Sequence, residues 1–415
     1  MLRSDMDGMN RRDFLRASGV TGAGALLAGA NIVTFEQAAQ ASQPVQLGNG
    51  ILVIITMYGG NDGLNTVIPY ADSVYQSRRA GLAFGEAEVL PIGDGLGLNP
   101  GMTGMRDLWT QGRMAIVRGV GYPNPNHSHF SSMDIWQSAS PDAPSKSGWI
   151  GRWLDTLPKN SMNALNIGNT LPPMLVGSTT AGSTLPTGGL KTPTGTLKSA
   201  FKNLSRLSAD ANLLHEDAAT AIADLYSNSN ATSAALRNAV STAVPGDSAE
   251  PTPVGTSELA QQLDVVARLI NAGATTRIYS VSIGGFDTHA DEKSKQTALL
   301  ADLSNSIATF MRQIDNTQRH DDVTLFAYSE FGRRVPANLS QGTDHGTAGP
   351  AFVVGNRIAG GFYGEQPSLT DLVADDLRVT TDFRDIYGTL LERGLGADSG
   401  ASLGTWKGRL PLFKA

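Results

Sequence analysis

The chain has 415 residues, of which 40% are hydrophobic and 17% charged, so it can bury a large core and general disorder is excluded. Its formal net charge of -6 gives no basic surface for nucleic acid, which is therefore not expected as a partner. Cysteine is absent, which excludes disulfides and thiolate metal sites. Any metal ion must be bound by carboxylates, imidazoles or neutral oxygen atoms.

The first 41 residues have the features of an export signal. Arg11 and Arg12 are followed by Phe14, and an uncharged stretch rich in Gly and Ala runs from Ala17 to Phe35. A small-residue cleavage pattern, "AQA", ends at position 41. The segment resembles a twin-arginine signal, which implies passage through the Tat translocase in a folded state.

A membrane anchor is the alternative explanation for this segment. So many Gly, Ala, Ser and Thr residues, with Asn31 among them, make a poor membrane-spanning helix. We therefore expect a periplasmic or secreted protein without a stable membrane anchor, in which residues 42–415 form a single domain.

Five largely apolar runs predict buried strands of a sheet that is covered on both faces. These runs are residues 51–57, 114–122, 278–283, 323–328 and 351–355. Amphipathic patterns predict helices at residues 256–273, 293–317 and 381–396. Strands that alternate with such helices indicate a doubly wound, mostly parallel α/β sheet flanked by helices. Residues 227–255, rich in Ser, Asn, Pro and Gly, are predicted to form a surface excursion.

Ligands of such a sheet bind beyond the carboxyl ends of its strands. Polar side chains that suit metal or substrate chemistry follow four of the predicted strands and precede the fifth. In chain order they are Asp62; Asn126, His127, Ser128 and His129; Asp287 and His289; Glu330, Arg333 and Arg334; and Asp344 and His345. Carboxylates and imidazoles without cysteine are the ligand set of a hard or borderline divalent cation.

Each of these residues also has a simpler explanation when taken alone. Asp62 could cap the following helix or make an Asx turn, and Ser128 could be an N-cap at the start of a helix. The other acids and histidines could be helix caps, turn residues or surface ion-pair partners. Five strand ends that all carry such side chains nevertheless favour one shared site.

The motifs "GGNDGLN", "NHSHFSSMDIW", "GGFDTH", "SEFGR" and "DHGTAGP", after a twin-arginine leader, closely resemble the bacterial family called domain of unknown function 1501. The resemblance covers nearly the whole mature chain. That family in turn resembles, more distantly, the alkaline phosphatase and sulfatase superfamily. The resemblance implies an alkaline-phosphatase-like fold and a metal-dependent hydrolase of phosphate or sulfate esters, acting on a small-molecule or polymer substrate.

The same resemblance implies a role for each candidate residue. Ser128 matches the nucleophile, and His127 or His129 would protonate the leaving oxygen. One or two divalent ions (Mg, Mn, Ca or Zn) would be held by Asp62, Asp287, His289, Glu330, Asp344 and His345. The substrate anion would be held by Asn126, Arg333 and Arg334.

One residue departs from the superfamily pattern. Phe331 follows Glu330 where the superfamily has histidine, so a second cation would have only oxygen ligands, which favours Mg²⁺, Ca²⁺ or Mn²⁺ over Zn²⁺. A site with a single metal ion is the other outcome of this change. The departure also favours the alternative function, a non-catalytic exported envelope or binding protein that retains the fold.

Overall fold

The computed structural model describes residues 31–32, 49–143, 145–187 and 257–415. The signal arginines, the cleavage pattern and the predicted excursion at residues 227–255 lie outside these ranges. The helices are α1 Ser73–Arg78, α2 Thr103–Thr110, α3 His129–Ser138, α4 Trp149–Leu154, α5 Glu258–Asn271, α6 Glu292–Asp315, α7 Phe383–Thr389 and α8 Gly400–Leu403. Helix α7 continues into a π-helical turn, Leu390–Gly394. In the described ranges no helix combines the length and apolarity that a membrane span needs.

Fifteen strands are described, and most of them belong to one large sheet. They are β1 Asn31–Ile32, β2 Ile51–Met57, β3 Val67–Ile68, β4 Leu90–Gly93, β5 Leu96–Leu98, β6 Met114–Gly121, β7 Ala164–Ile167, β8 Ser183–Leu185, β9 Ile278–Ile283, β10 Val323–Ser329, β11 Gly349–Gly355, β12 Gly361–Tyr363, β13 Leu372–Val373, β14 Asp376–Leu377 and β15 Thr381–Asp382. Short one-turn 3₁₀ segments lie at Gly63–Asn65, Ser161–Asn163 and Pro173–Leu175.

The large sheet has the order β1-β8-β7-β9-β2-β10-β11-β6-β12, and β15 also pairs with β6. Strand β11 runs antiparallel to both of its neighbours, β10 and β6, whereas the other pairings are parallel. The carboxyl ends of β2, β6, β9 and β10 therefore lie at one edge of the sheet. Because β11 is reversed, its amino end lies at that same edge, which explains why one candidate segment precedes its strand.

Side chains of the central strands alternate between two cores, one on each face of the sheet. In β2, Val53 and Ile55 belong to one core with residues of α2, α5 and α6, whereas Leu52 and Ile54 belong to the other with residues of α3, α4 and α7. Every residue of β2 is buried, which accounts for its nearly unbroken apolar sequence. Helices thus cover both faces, and the predicted mixed α/β class with a largely parallel sheet is confirmed.

The five predicted strands are confirmed within two residues, and the helices predicted from 256 and 293 begin at Glu258 and Glu292. The helix predicted at 381–396 is different in its first turn, because Thr381 and Asp382 pair with β6 as a short strand. The sequence pattern missed β7 and β8, since runs of three or four residues are too short to show a period. It also missed the small antiparallel sheet β3-β5-β4.

Candidate metal centre

Four side chains from three loops converge at the carboxyl edge of the sheet. Oδ1 of Asp287 lies 3.0 Å from Nε2 of His289, 3.2 Å from Nε2 of His345 and 3.5 Å from Nε2 of His129. The Nε2 atoms of His289 and His345 are 2.9 Å apart. Ligand atoms of His129, Asp287 and His345 all lie within 4.8 Å of one another. The structure therefore brings together four residues that the sequence placed at strand ends.

His129 is oriented by Glu330. Its Nδ1 lies 2.8 Å from Oε1 of Glu330, which also accepts a hydrogen bond from the backbone N–H of Gly59 at 2.9 Å. Ser329 donates its hydroxyl to the other carboxylate oxygen at 2.9 Å. A proton on Nδ1 satisfies this carboxylate and leaves the lone pair of Nε2 facing the cluster. Within the described residues, that buried Nε2 makes no hydrogen bond.

His345 is oriented in the same way by a backbone group. Its Nδ1 lies 2.7 Å from the carbonyl oxygen of His127, so Nδ1 carries the proton and Nε2 presents a lone pair to Asp287. Burial lowers the pKa of His345, and this outweighs the opposing hydrogen bonds to His127 and Asp287. The imidazole is thereby held in the neutral form that binds a cation.

Asp287 is held ionised at the middle of the cluster. Burial would raise its pKa, but the hydrogen bond from Arg333 and the positive charge of Arg333 outweigh it and lower the pKa to about 2. Asp344 stands at the periphery, with Oδ1 3.7 Å from Nδ1 of His289. We therefore place Asp344 beside a candidate ligand rather than among the converging atoms.

Arg333 has a structural position, different from the predicted role in holding a substrate anion. Its side chain is fully buried, and Nη2 donates to Oδ1 of Asp287 at 2.7 Å. The remaining N–H groups donate to the carbonyl oxygens of Gly60 (2.6 Å) and Thr343 (3.0 Å), among others. A guanidinium with these partners and no exposure is not accessible to a substrate, and instead fixes Asp287 against the turn that follows β2.

Phe331 packs against the imidazoles, at ring-centroid distances of 4.8 Å from His129 and 4.9 Å from His345. A β-carbon added to Gly60 would lie 2.2 Å from this ring, and Gly60 has φ +70°, so glycine is required here. Phe331 thus forms an apolar wall of the cluster at the position where the superfamily pattern expects a metal ligand.

Asp62 does not join the cluster. Both of its carboxylate oxygens bind the guanidinium of Arg79, with the Oδ1–Nη2 pair at 3.0 Å, and both side chains are fully buried. Oδ1 also accepts from the backbone N–H of Leu64 at 3.2 Å, which is the capping alternative. Burial would raise the pKa of Asp62, but the charge of Arg79 and hydrogen bonds outweigh it, so the pKa is lowered. The expected metal ligand is thus engaged in an ion pair.

Ser128 is the exposed N-cap of α3, and its hydroxyl makes no capping hydrogen bond. Its backbone N–H donates to Oδ1 of Asn126 at 2.7 Å, so Asn126 shapes the turn that presents it. The next histidine, His129, is the first residue of the helix and points into the cluster. Ser128 is therefore an exposed residue that immediately precedes one of the converging residues in the chain.

Asp376 holds His127, and no sequence pattern singled it out. Nε2 of His127 lies 2.6 Å from Oδ2 of Asp376, whose side chain is 7% exposed. Nε of Arg334 lies 3.7 Å from the other carboxylate oxygen, and the Arg334 side chain is 39% exposed. Asp376 comes from the β13-β14 hairpin, which is too short to be predicted. Arg334 remains accessible, as a residue that holds a substrate anion must be.

The fold and this cluster define a mixed α/β protein with a histidine- and carboxylate-lined site at the carboxyl edge of its sheet. The sequence model of the family described as "Protein of unknown function (DUF1501)" matches residues 109–410, and the chain belongs to that family. The model of the twin-arginine translocation pathway signal matches residues 8–28, which indicates export across the membrane. The predicted family and the predicted Tat route are both confirmed.

Similar solved structures include a protein in the alkaline phosphatase superfamily from Vibrio parahaemolyticus (10% identity, TM-score 0.37, covering 88% of this chain and 71% of that one). The lipoteichoic acid synthase LtaP from Listeria monocytogenes is similar at 8% identity and TM-score 0.36, with coverages of 89% and 79%. A sulfatase from Pseudoalteromonas sp. is similar at 11% identity and TM-score 0.36, with coverages of 90% and 71%. No curated protein matches the chain. Function is therefore argued from the site itself.

Proposed function

We propose that the protein is an exported, metal-dependent hydrolase of phosphate or sulfate esters, with one divalent cation held by His129, Asp287, His289 and His345. The observation that carries this proposal is the convergence of three imidazole Nε2 atoms on one carboxylate oxygen. In two of these imidazoles Nδ1 faces an acceptor, Glu330 for His129 and the carbonyl oxygen of His127 for His345, which directs a lone pair of each Nε2 toward Asp287. A cation satisfies such an arrangement.

The distances also fit a small cation. Zinc bonds to nitrogen and carboxylate oxygen are about 2.0–2.2 Å long, which puts neighbouring ligands of a tetrahedron about 3.3–3.5 Å apart. Asp287 Oδ1 lies 3.0, 3.2 and 3.5 Å from the three imidazole Nε2 atoms, and the Nε2 atoms of His289 and His345 are 2.9 Å apart. The ligand atoms of His129, Asp287 and His345 all lie within 4.8 Å of one another, and His289 joins them through Asp287 and His345. Three nitrogens and one oxygen favour Zn²⁺ or another borderline transition ion over Mg²⁺ or Ca²⁺. This preference differs from that of the oxygen-only second site expected from the sequence.

A bound divalent cation would supply Lewis acidity, which neutralises charge on the ester oxygens and favours ionisation of a nearby hydroxyl. Residues of the chain supply the nucleophile, the anion-binding group and the proton donor. Ser128 is the nucleophile, because its hydroxyl is exposed and free of a capping bond. Its oxygen bonds to phosphorus or sulfur as the bond to the leaving oxygen breaks, and water then hydrolyses the serine ester, which releases phosphate or sulfate and restores the hydroxyl. Arg334 binds the free oxygens of the ester, because its side chain is 39% exposed beside Asp376, which holds His127.

Both nitrogens of His129 have a partner, since Nδ1 contacts Glu330 and Nε2 faces Asp287 of the cluster. That leaves His127 as the histidine that gives a proton to the leaving oxygen. Asp376 holds the ring of His127 by one nitrogen, which fixes its direction. Glu330 and Arg333 act on the ligands His129 and Asp287 and do not contact the substrate.

The test combines metal analysis with turnover. The exported protein is purified, treated with chelator and reloaded with Zn²⁺, Mn²⁺, Mg²⁺ or Ca²⁺, and hydrolysis of 4-nitrophenyl phosphate and 4-nitrophenyl sulfate is followed. His345→Ala should lose both bound metal and turnover. Ser128→Ala should keep the metal and lose most turnover. Ser131→Ala, the next exposed serine of α3, is the matched control and should retain both.

A non-catalytic exported binding protein is the second candidate, and Phe331 favours it. This residue places an apolar ring on the imidazoles where the superfamily has a ligand. The second candidate predicts bound metal without turnover of either ester under any metal, and equal behaviour of Ser128→Ala and wild type. A chain with no divalent metal and no response to added ions would overturn the hydrolase.

A further inference from the structure

A cavity of about 650 Å³ lies along the first turns of α6, outside the candidate metal centre. This volume is within the usual range of small-molecule sites. Its walls come from the segment before β4, the segment after β5 and helix α6, and its apolar part is formed by Leu82, Phe84, Pro100, Ala298 and Ala301. We call this cavity the α6 groove. Nothing in the proposed chemistry uses it.

The α6 groove begins where the candidate metal centre ends. Its lining residues Asp291 and Glu292 follow His289 by two and three positions. Its lining residue Gln341 lies in the loop 338–343, and Nδ2 of Asn338 in that loop donates to the carbonyl oxygen of His289 at 3.0 Å. One wall of the groove is therefore also the support of a proposed metal ligand.

The α6 groove begins at the carboxyl edge of the sheet, where the candidate metal centre lies. Helix α6 follows the carboxyl end of β9 after one short loop, so its first turn lies at the edge where Asp287 and His289 converge. From Glu292 to Ala301 the helix rises by about 13 Å. The groove thus extends away from the centre over a length that suits a bicyclic ring or a short alkyl chain.

Two of the three charged side chains that line the groove, Lys293 and Glu292, are neutralised within the described structure, and the third, Asp291, is exposed at its end. Nζ of Lys293 binds the carbonyl oxygen of Ala83 at 2.8 Å and Glu88 at 3.1 Å, and it lies 4.2 Å from the ring centre of Phe84. Burial, together with the negative charge of Asp62, raises the pKa of Glu292 to about 9, so this carboxyl is neutral at pH 7. The groove is therefore a poor site for a polyanion and a suitable one for an uncharged apolar group.

We propose that the α6 groove binds the alcohol part of the ester substrate and selects a largely apolar, uncharged group. This inference rests on the proposed hydrolase, because it assigns the reacting ester to the centre beside His289. The substrates selected would be amphiphilic esters, with a charged phosphate or sulfate and an apolar alcohol.

The experiment fills the groove and measures binding and turnover separately. Ala298 is exposed on α6 and lines the groove, so Ala298→Trp fills it without disturbing the core. Asn305→Trp places the same side chain on an exposed position of α6 that does not line the groove, and it is the control. The binding probe is N-phenyl-1-naphthylamine, an uncharged fluorescent amine, added to chelator-treated protein. The turnover series compares 4-nitrophenyl phosphate with a naphthyl phosphate.

The expected result is probe binding by wild type and Asn305→Trp, and binding at least tenfold weaker in Ala298→Trp. In the same variant KM for the naphthyl ester should rise at least fivefold, and KM for the smaller 4-nitrophenyl ester should rise less. Equal probe binding in all three proteins overturns the groove as a site. Probe binding that responds to Ala298→Trp without any change in the naphthyl KM overturns its role in substrate selection. Absence of turnover in every protein, with the probe result intact, overturns the hydrolase but not the binding site.

Discussion

Substitution of Asp62 by Asn distinguishes a structural role of this carboxylate from a role as metal ligand. The structural role predicts loss of stability with the metal retained, and the ligand role predicts the opposite. In the structure, the carboxylate binds Arg79 through both oxygens and neither side chain is exposed. Asp62→Asn leaves the positive charge of Arg79 buried without its counterion. Removal of one partner of a buried ion pair costs about 3–5 kcal/mol, a large part of a total stability of about 5–15 kcal/mol.

The neighbouring Glu292 reduces the loss of stability that Asp62→Asn should cause. The negative charge of Asp62 is one cause of the raised pKa of Glu292, and the charge of Glu292 in turn acts on Arg79. Without Asp62, Glu292 can ionise toward Arg79 and offset part of the loss, so we expect a value near the lower end, about 3 kcal/mol. The same substitution in a Glu292→Gln background removes this compensation and should give the larger loss.

The assay is urea unfolding of each protein, with and without chelator, together with metal content by mass spectrometry. The double variant Asp62→Asn/Arg79→Met removes both charges and should recover most of the stability lost by Asp62→Asn. Metal content should be the same in all of these proteins. If Asp62→Asn loses the metal while its stability stays within about 1 kcal/mol of wild type, the ion-pair interpretation is wrong and Asp62 is a ligand.

Three further predictions concern Glu330, Glu292 and the export signal. Glu330→Gln should keep the fold but weaken metal affinity about 10–100-fold, because the carboxylate that orients His129 is lost. Competition with a chelator measures this affinity, and an unchanged affinity would contradict the orienting role. The pKa of Glu292 in the folded protein is about 9, above its ordinary 4.5, so the free energy of unfolding should fall as pH rises from about 5 to 9, by up to about 1.4 kcal/mol per pH unit. Glu292→Gln should flatten this pH dependence, measured by unfolding titrations. Equal slopes for the variant and wild type would refute the prediction. Replacement of Arg11 and Arg12 by Lys should retain uncleaved precursor in the cytoplasm, detected by fractionation, and normal export would exclude the Tat route.

The sheet and the converging residues could be predicted because both depend on local sequence. Strand β2 is buried on both faces, so its seven residues form an apolar run that is easily recognised. The carboxyl-edge rule then placed Asp287 and His289 near His129 without knowledge of strand order. His345 precedes its strand, so the carboxyl-edge rule alone does not explain its place in the cluster. The structure supplies the reason, since β11 is antiparallel and its amino end reaches the same edge.

The supporting contacts could not be predicted, because they join residues that are far apart in the chain and have no local pattern. Arg79 lies in an ordinary helical segment, and only the folded structure shows that it binds Asp62 and the carbonyl oxygens of Val335 and Arg334. Asp376 lies 249 positions from His127, on a two-residue strand. A sequence motif identifies a residue that is suited to a role, but its partners decide whether it is free to perform that role.

The difference between predicted and observed partners bears directly on the number of metal ions. A second cation was expected at Asp62 and Glu330, but Asp62 is neutralised by Arg79 and Glu330 accepts from Gly59, Ser329 and His129. Asp62 is fully buried in its ion pair with Arg79, and Glu330 is directed at His129, so neither carboxylate faces a second cation position together with the other. The proposal is therefore a hydrolase with one ion, in which a second positive charge on the ester oxygens comes from the chain. Arg333 is buried on Asp287, so Arg334 has to supply that charge, and its loss should reduce turnover without loss of metal.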